Sequence, residues 1–279
     1  MTHHPAAAFL LRDALVITGT DARSFLQGLI TNDMAHLETS SALYGCLLTP
    51  QGKFLYDLII YIKDDKYIID YKEYSNDVKL IDILRRYRLR ASAEITPKNI
   101  YVYCGTGPIP IHLADKGIVA ADPRHPDMGW RVIMDTLLLE SDIPPGVYTA
   151  AAHRQREIEC GIPNASDADI GVSTLEEMNI PRLNGVSYTK GCYLGQEMTA
   201  RMEHRGLAKR HLVRVRYTSP SSLDHQITDI MIGDDIAGRA RPRHGDIGLA
   251  LIRDDIAQKS VKPDGWIHLA KTISGYQII

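Results

Sequence analysis

The chain has 279 residues, 44% of them hydrophobic and 24% charged, which is long enough for two or three domains and fits neither a disordered nor a fibrous class. Its net charge of −2 supplies no global field to draw it onto nucleic acid or an anionic membrane, so an anionic ligand must be held by local charge. The four cysteines, Cys46, Cys104, Cys160 and Cys192, form no C-x-x-C pair; this argues against a permanent metal site or cluster and suits a reducing compartment.

In chain order, the first thirteen residues lack a basic segment ahead of a long apolar run, so no signal peptide is expected. Residues 15–18 read as a strand closed by Gly19. Thr20 and Asp21 then offer a capping hydroxyl and an acid to a helix through 23–27, with Phe25, Leu26 and Leu29 facing inward. Residues 44–48 and 53–61 flank Thr49-Pro50-Gln51-Gly52, a turn by composition, and so form a hairpin. A strand at 67–71 and a helix over 75–90 follow, with Val78, Leu80, Ile81, Leu84 and Tyr87 at helical spacing. This order predicts an α+β unit with an antiparallel sheet over residues 1–94.

A second α+β unit is expected over 95–206, with strands at 100–103 and 130–134 and a helix at 150–160. Short strands at 211–217, 226–232, 245–252 and 265–269, separated by Pro, Gly and Asp, predict a small β-barrel over 207–279. The apolar stretches at 58–62 and 136–139 are strand-sized, far below the ~20 residues of a membrane helix. A cytoplasmic location without membrane contact is the expectation.

The densest chemical signal is Lys190-Gly191-Cys192-Tyr193-Leu194-Gly195-Gln196-Glu197. Residues 186–188 read as a strand end and 196–202 as a helix, which puts Cys192 on a strand-to-helix turn. There helical N–H groups and Lys190 would favour the thiolate, and comparable settings lower a cysteine pKa to roughly 3.5–7.5. A plainer reading, two glycines shaping a turn around a small buried cysteine, stays open. The basic run at 84–90 offers a site for a polyglutamate tail, RNA or an acidic partner, or simply a solvated helix face; Arg239 to His244 is read as a barrel loop. Ser187 to Lys190 fits S-x-x-K, but Gly191 follows at once in a turn. Gly105-Thr106-Gly107 runs into Pro108 and Pro110, so neither match has its required context.

K-G-C-[FY]-x-G-Q-E, followed by Arg201, resembles the signature of the YgfZ family of folate-binding proteins, relatives of the glycine-cleavage T-protein. The likeness covers most of the chain: residues 25–33 resemble the family's F-L-Q-G-x-x-T-x-D segment, 52–57 its glycine-led hairpin, 156–163 its R-x-E-x-G-I-P run, and 248–253 its G-L-A-x-x-R strand. The resemblance implies a three-lobed ring of two ferredoxin-like α+β units and a C-terminal barrel around a channel for tetrahydrofolate. It further implies a role in assembling or repairing iron–sulfur clusters in client enzymes, with indirect effects on tRNA modification. Partners would be folate and those clients or assembly proteins, with no direct nucleic-acid contact, and the chain is expected to be monomeric. Cys192 would be the reactive thiol, with Lys190 beside it.

Glu159 carries over as the pterin-binding acid, since a carboxylate accepts two hydrogen bonds from the pterin amino and ring N–H groups; an exposed helix acid is the plainer reading. Asp57, Asn32, Tyr188, Gln196 and Arg201 complete the candidate folate contacts. Where the T-protein has paired hairpin acids, this chain has Tyr56-Asp57, which weighs against aminomethyl transfer. Such a transferase and a non-catalytic folate-binding scaffold remain the alternatives.

Overall fold

The computed structural model describes residues 10–73, 79–143, 146–218, 227–272 and 275–279. Strand β1 (Leu10–Thr18) leads through Gly19 into α1 (Ala22–Gln27). Gly19 is obligatory: its φ is +109°, and a Cβ there would lie 2.2 Å from the Ser92 carbonyl oxygen. The capping expected of Thr20 and Asp21 is not realised. Asp21 occupies the cap position without a side-chain cap bond, and its carboxylate instead accepts the Ser92 N–H at 2.7 Å, tying the helix entry to the strand that follows.

Strands β2 (Ala42–Leu48) and β3 (Phe54–Lys63) form the predicted hairpin, β4 (Lys66–Tyr71) follows, and α2 covers Leu80–Arg88. The predicted start of that helix, with Ser75 and Val78, lies outside the described residues. Leu80, Ile83 and Leu84 are its buried face, while Arg85, Arg86, Arg88 and Arg90 are exposed. The chain continues through β5 (Glu94–Gly105), α3 (Ile111–Ala114), β6 (Ile118–Ala121), β7 (Trp130–Met134) and α4 (Ala150–Glu159).

All seven strands join one antiparallel sheet in the order β2-β3-β4-β1-β5-β7-β6. Because β1 pairs with β4 on one side and with β5 on the other, the two α+β segments share a sheet across residue 94. The sheet is covered on both faces, which is why β2 is buried at every position. Leu43, Leu47, Leu58 and Ile60 face α1 and α2; Tyr44, Cys46, Ile59 and Tyr61 face α4, the segment 162–183 and the barrel.

Helix α5 (Gln196–Arg205) precedes a closed barrel of β8 (Arg210–Tyr217), β9 (Thr228–Ile232), β10 (Asp235–Ala240), β11 (Ile247–Arg253), β12 (Ile267–Lys271) and β13 (Tyr276–Ile278), with α6 (Asp254–Ser260) between β11 and β12. Residue 226, the predicted start of β9, lies outside the described residues. The barrel also contains β10 and β13, which the sequence pattern had not marked, and Leu212, Leu249 and Trp266 join the core beneath the sheet. Arg239 to His244 is more than a loop: Arg241 and Arg243 are buried. Arg241 holds Asp169 through both terminal nitrogens, at 2.9 and 3.0 Å, and so ties the barrel to the segment beneath the sheet. No helix among the described residues is long and apolar enough to cross a membrane.

Candidate functional site: the cysteine loop and the adjoining cleft

Two stretches far apart in sequence build the site. Residues 28–32 run along the outer edge of β2, with Ile30 bridged to Leu47 and the Thr31 N–H donated to the Cys46 carbonyl at 3.0 Å. The segment 184–196 lies on them in turn: Ser187 N–H donates to Thr31 O at 3.0 Å, Leu194 N–H to Gly28 O at 3.0 Å, and the Thr31 hydroxyl to Gly185 O at 2.6 Å. The edge of the sheet is thereby closed by non-strand backbone. Residues 186–188 do not form the predicted strand end, because their partner is this irregular segment rather than a sheet edge.

Lys190 shows the largest departure from expectation. Its ammonium donates to three backbone carbonyls, Gln27 at 2.7 Å, Ile30 at 2.7 Å and Asn32 at 2.8 Å, and lies 5.0 Å from the Tyr193 ring centroid. An ammonium has three donors, so none is left for the Cys192 sulfur. Lys190 is therefore a clamp that holds the last residue of α1, whose carbonyl lacks a helical partner, to the segment 28–32 that follows it. Burial lowers its pKa to about 8, with Asp33 opposing.

The two glycines flanking the cysteine differ. A Cβ at Gly191 would meet open space, whereas Gly195, with φ +80°, lies so close to the hairpin that a Cβ would sit 2.5 Å from Thr49 O. Gly52 is the reciprocal surface: a Cβ there would be 2.8 Å from Gly195 O and 2.6 Å from the Met198 Cβ. The hairpin glycine and the motif glycine are thus one contact. Gln196 accepts the Tyr193 N–H at 3.0 Å and closes the turn into α5. Tyr193 and Leu194 pack inward toward opposite faces of the sheet, and Cys192 before them is left exposed. Cys46 and Cys104 are buried and Cys160 is half-buried, so Cys192 is the most accessible thiol.

Beside this loop is a cleft of about 550 Å³ lined by Asn32, His36, Tyr44, Pro123, Pro181, Asn184 and Val186, among others. Buried Asn32 donates both amide hydrogens, to Tyr44 O and Asn184 O at 2.7 Å each, and its Oδ1 accepts the Asp33 N–H at 2.8 Å, so it fixes two walls of the cleft. Of the other candidate folate contacts, none lines the cleft. Asp57 is buried on the Cys46 face of the sheet, directly across from Cys46. Tyr188 donates to Glu176 at 2.9 Å, and burial together with that acid holds its phenol above the ordinary value. Arg201 pairs with Glu197 at 2.6 Å on the exposed face of α5. Glu159 is on the outer side of α4, taken up by Arg156 and Gln155.

The acid that α4 buries is Glu157, which sequence reasoning passed over. It belongs to a chain of buried charges, Arg12–Asp70–Arg131–Asp122–Arg124–Glu157–Arg154–Asp167, with contacts of 2.6 to 3.3 Å. Burial by itself would raise the Glu157 carboxyl, but His153, Arg124 and Arg154 outweigh it and bring it to about 2. The cleft residues Pro123, Pro181 and Asn184 were missed as well. Only Asn184-Gly185, a turn dipeptide, offered a signal.

A family model described as the GCVT N-terminal domain matches residues 13–102. The human iron-sulfur cluster assembly factor IBA57, mitochondrial, is 30% identical over 274 residues, spanning 86% of this chain and 75% of that protein. The chain belongs to the YgfZ/IBA57 family. The tRNA-modifying protein YgfZ of Sodalis glossinidius is 27% identical over 238 residues, covering 76% of this chain and 71% of that one. Among solved structures, the glycine cleavage system aminomethyltransferase T from Bartonella henselae superposes with a TM-score of 0.70 over 96% of this chain and 81% of its own, at 12% identity. The α+β fold of this family member is therefore that of the T-protein, and at such identity the likeness concerns fold alone.

Proposed function

We propose that this chain serves iron–sulfur cluster assembly or repair in client enzymes, presenting Cys192 as its reactive thiol and binding tetrahydrofolate in the cleft beside it. The carrying observation is that loop and cleft share one scaffold. Residues 28–32 and 184–196 supply Asn32 and Val186 to the cleft, and the same hydrogen bonds hold the Cys192 loop in place. An exposed thiol on a loop locked by Lys190 and Gly195 is accessible to a client or a cluster without unfolding of the protein.

The cleft suits the ligand in size and chemistry. Its volume of about 550 Å³ falls within the roughly 300–1,000 Å³ of small-molecule sites. Tyr44, Pro123, Pro181 and Val186 offer apolar walls to a flat ring, and His36, Ser40 and Ser41 offer polar partners. Tetrahydrofolate, when bound, would supply a reduced pterin able to carry a one-carbon unit. The names of the human and Sodalis relatives support the cluster and tRNA side of this reading. Aminomethyl transfer is disfavoured by the hairpin: Tyr56 replaces the first acid, and its hydroxyl bonds Glu73 on the α2 side, opposite to Asp57.

The test pairs two measurements. Calorimetric titration of tetrahydrofolate into the wild type, Cys192→Ala and Val186→Trp should show binding to the first two and loss in the third. In cells lacking the protein, Cys192→Ala should fold yet fail to restore cluster-enzyme activity. Absence of folate binding removes the cleft from the proposal, and full rescue by Cys192→Ala removes the thiol.

A further inference from the structure

His125, Asp127 and Cys160 stand apart from the Cys192 loop and have no part in the function proposed above. One ligating atom from each lies within 4.8 Å of the other two, and no other group of three or more His, Cys, Asp or Glu among the described residues meets that condition. Their spacing is set by the backbone. His125 and Asp127 bracket Pro126 in a single 3-10 turn, and Cys160 is the residue that ends α4. Arg156, one turn before Cys160, donates to the Asp127 carbonyl at 3.0 Å and fastens the turn to the helix.

We propose that these three side chains form a site for a divalent transition ion of the zinc, cobalt or ferrous class. Imidazole, carboxylate and thiolate are the donor set that borderline ions prefer over magnesium or calcium, which select oxygen. Binding exchanges coordinated water for the three ligands and releases the Cys160 thiol proton to solvent, so thiolate and carboxylate balance the two positive charges. The three ligand atoms lie within 4.8 Å of one another, and the separations of about 3.3–3.8 Å that tetrahedral zinc bonds of about 2.0–2.3 Å impose are reached by rotation of His125 and Asp127, whose side chains are 34% and 65% exposed. Of the nearby cations, Arg156 is paired with the Glu159 carboxylate, and Arg214 is held in place by the Glu159 and Gly265 carbonyls, which fix its position without cancelling its charge.

His125 and Cys160 also line a cavity of about 360 Å³ between α4 and the barrel. Three protein ligands beside a cavity leave the fourth position to water or an incoming ligand, the arrangement of reactive rather than closed structural sites.

Cobalt(II) titration of the full chain, with a phosphine reductant, reads the site directly. We expect a sulfur-to-cobalt charge-transfer band saturating at one equivalent and displaced by one equivalent of zinc. It should disappear in Cys160→Ser, weaken at least tenfold in His125→Ala and in Asp127→Asn, and persist in Cys192→Ser. Histidines elsewhere give no sulfur band, so they do not imitate the result. Circular dichroism checks the fold of Cys160→Ser; if that variant is unfolded, the exposed Asp127→Asn decides. No band, a band that survives Cys160→Ser, one formed with unchanged affinity in Asp127→Asn, or one that vanishes with Cys192→Ser overturns the proposal.

Discussion

At Lys190 three carbonyl oxygens converge on one ammonium, a geometry that a compact point charge satisfies and a planar guanidinium does not. Lys190→Met should cost about 2–3 kcal/mol, in the range for hydrogen bonds to charged groups, and Lys190→Arg should not restore it, as read by urea denaturation. Releasing the clamp should also change the alkylation rate of Cys192. In the wild type, limiting iodoacetamide at neutral pH should modify Cys192 first. Cys46 and Cys104 are buried, with burial pushing their thiols up, Cys104 to about 11, and burial also raises the thiol of half-buried Cys160.

His153 gives the clearest pH dependence. Burial lowers its pKa from 6.5 to about 4, and its Nε2 is buried without a hydrogen-bond partner. Between those values the unfolded chain takes up a proton that the folded chain does not, so stability falls as the pH drops through this window. The slope approaches ~1.4 kcal/mol per pH unit for one group. The carboxyls of Asp70, Asp122 and Glu157 are held low, and burial raises that of Asp167, which acts with the opposite sign, so the loss above about pH 5 should flatten in His153→Gln; an unchanged slope in denaturant titrations from pH 7 to 5 would refute the assignment.

At the scale of elements, the Gly52–Gly195 contact joins the β2–β3 hairpin to the start of α5. Gly195→Ala forces a side chain into φ +80° and into the Thr49 carbonyl at once. The left-handed conformation alone costs roughly 1–2 kcal/mol, so thermal unfolding should show a larger loss, whereas Gly191→Ala, with open space around it, should be close to neutral. This contact explains how two sequence motifs some 140 residues apart serve one structural end. Each glycine was visible in the sequence as a turn residue; that they touch was not, because close approach of two backbones leaves no local periodicity. The same limit applies to β10 and β13, whose short and half-exposed patterns, DIAGRA and YQI, become strands only through barrel closure. It applies again to residues 186–188, extended in pattern yet paired only with the irregular segment at 28–32.

At the scale of the molecule, one sheet carries everything: α1 and α2 cover one face, and α4, the segment 162–183 and the barrel meet on the other. The buried charge chain from Arg12 to Asp167 crosses that second face and links β1, β4, β7 and α4. Arg131 is its centre, bonding Asp70 at 2.6 Å, the Tyr61 hydroxyl at 2.9 Å and Asp122 at 3.3 Å, with 1% of its side chain exposed. Arg131→Met takes one of two arginine partners from Asp70 and from Asp122, which keep Arg12 and Arg124, so the cost should lie toward the low end of the about 3–5 kcal/mol for breaking a buried pair. Denaturation should show a loss of that order, with cluster-enzyme activity in cells falling alongside abundance.

By itself, the sequence determined the α+β units, the terminal barrel, the hairpin and the placing of the cysteine motif on a turn before a helix. Each of these is written in local signals: alternation, helical spacing, and Gly and Pro at turns. Only the tertiary structure decided that the two units share one sheet, that Lys190 serves the carbonyls of Gln27, Ile30 and Asn32 rather than a thiolate, and that Glu157 rather than Glu159 is the buried acid of α4. The reason is common to all three. Which polar group a charge meets, and which side of a helix is dry, depends on segments brought together over more than a hundred residues, and hydrogen bonding of that kind leaves no period along the chain.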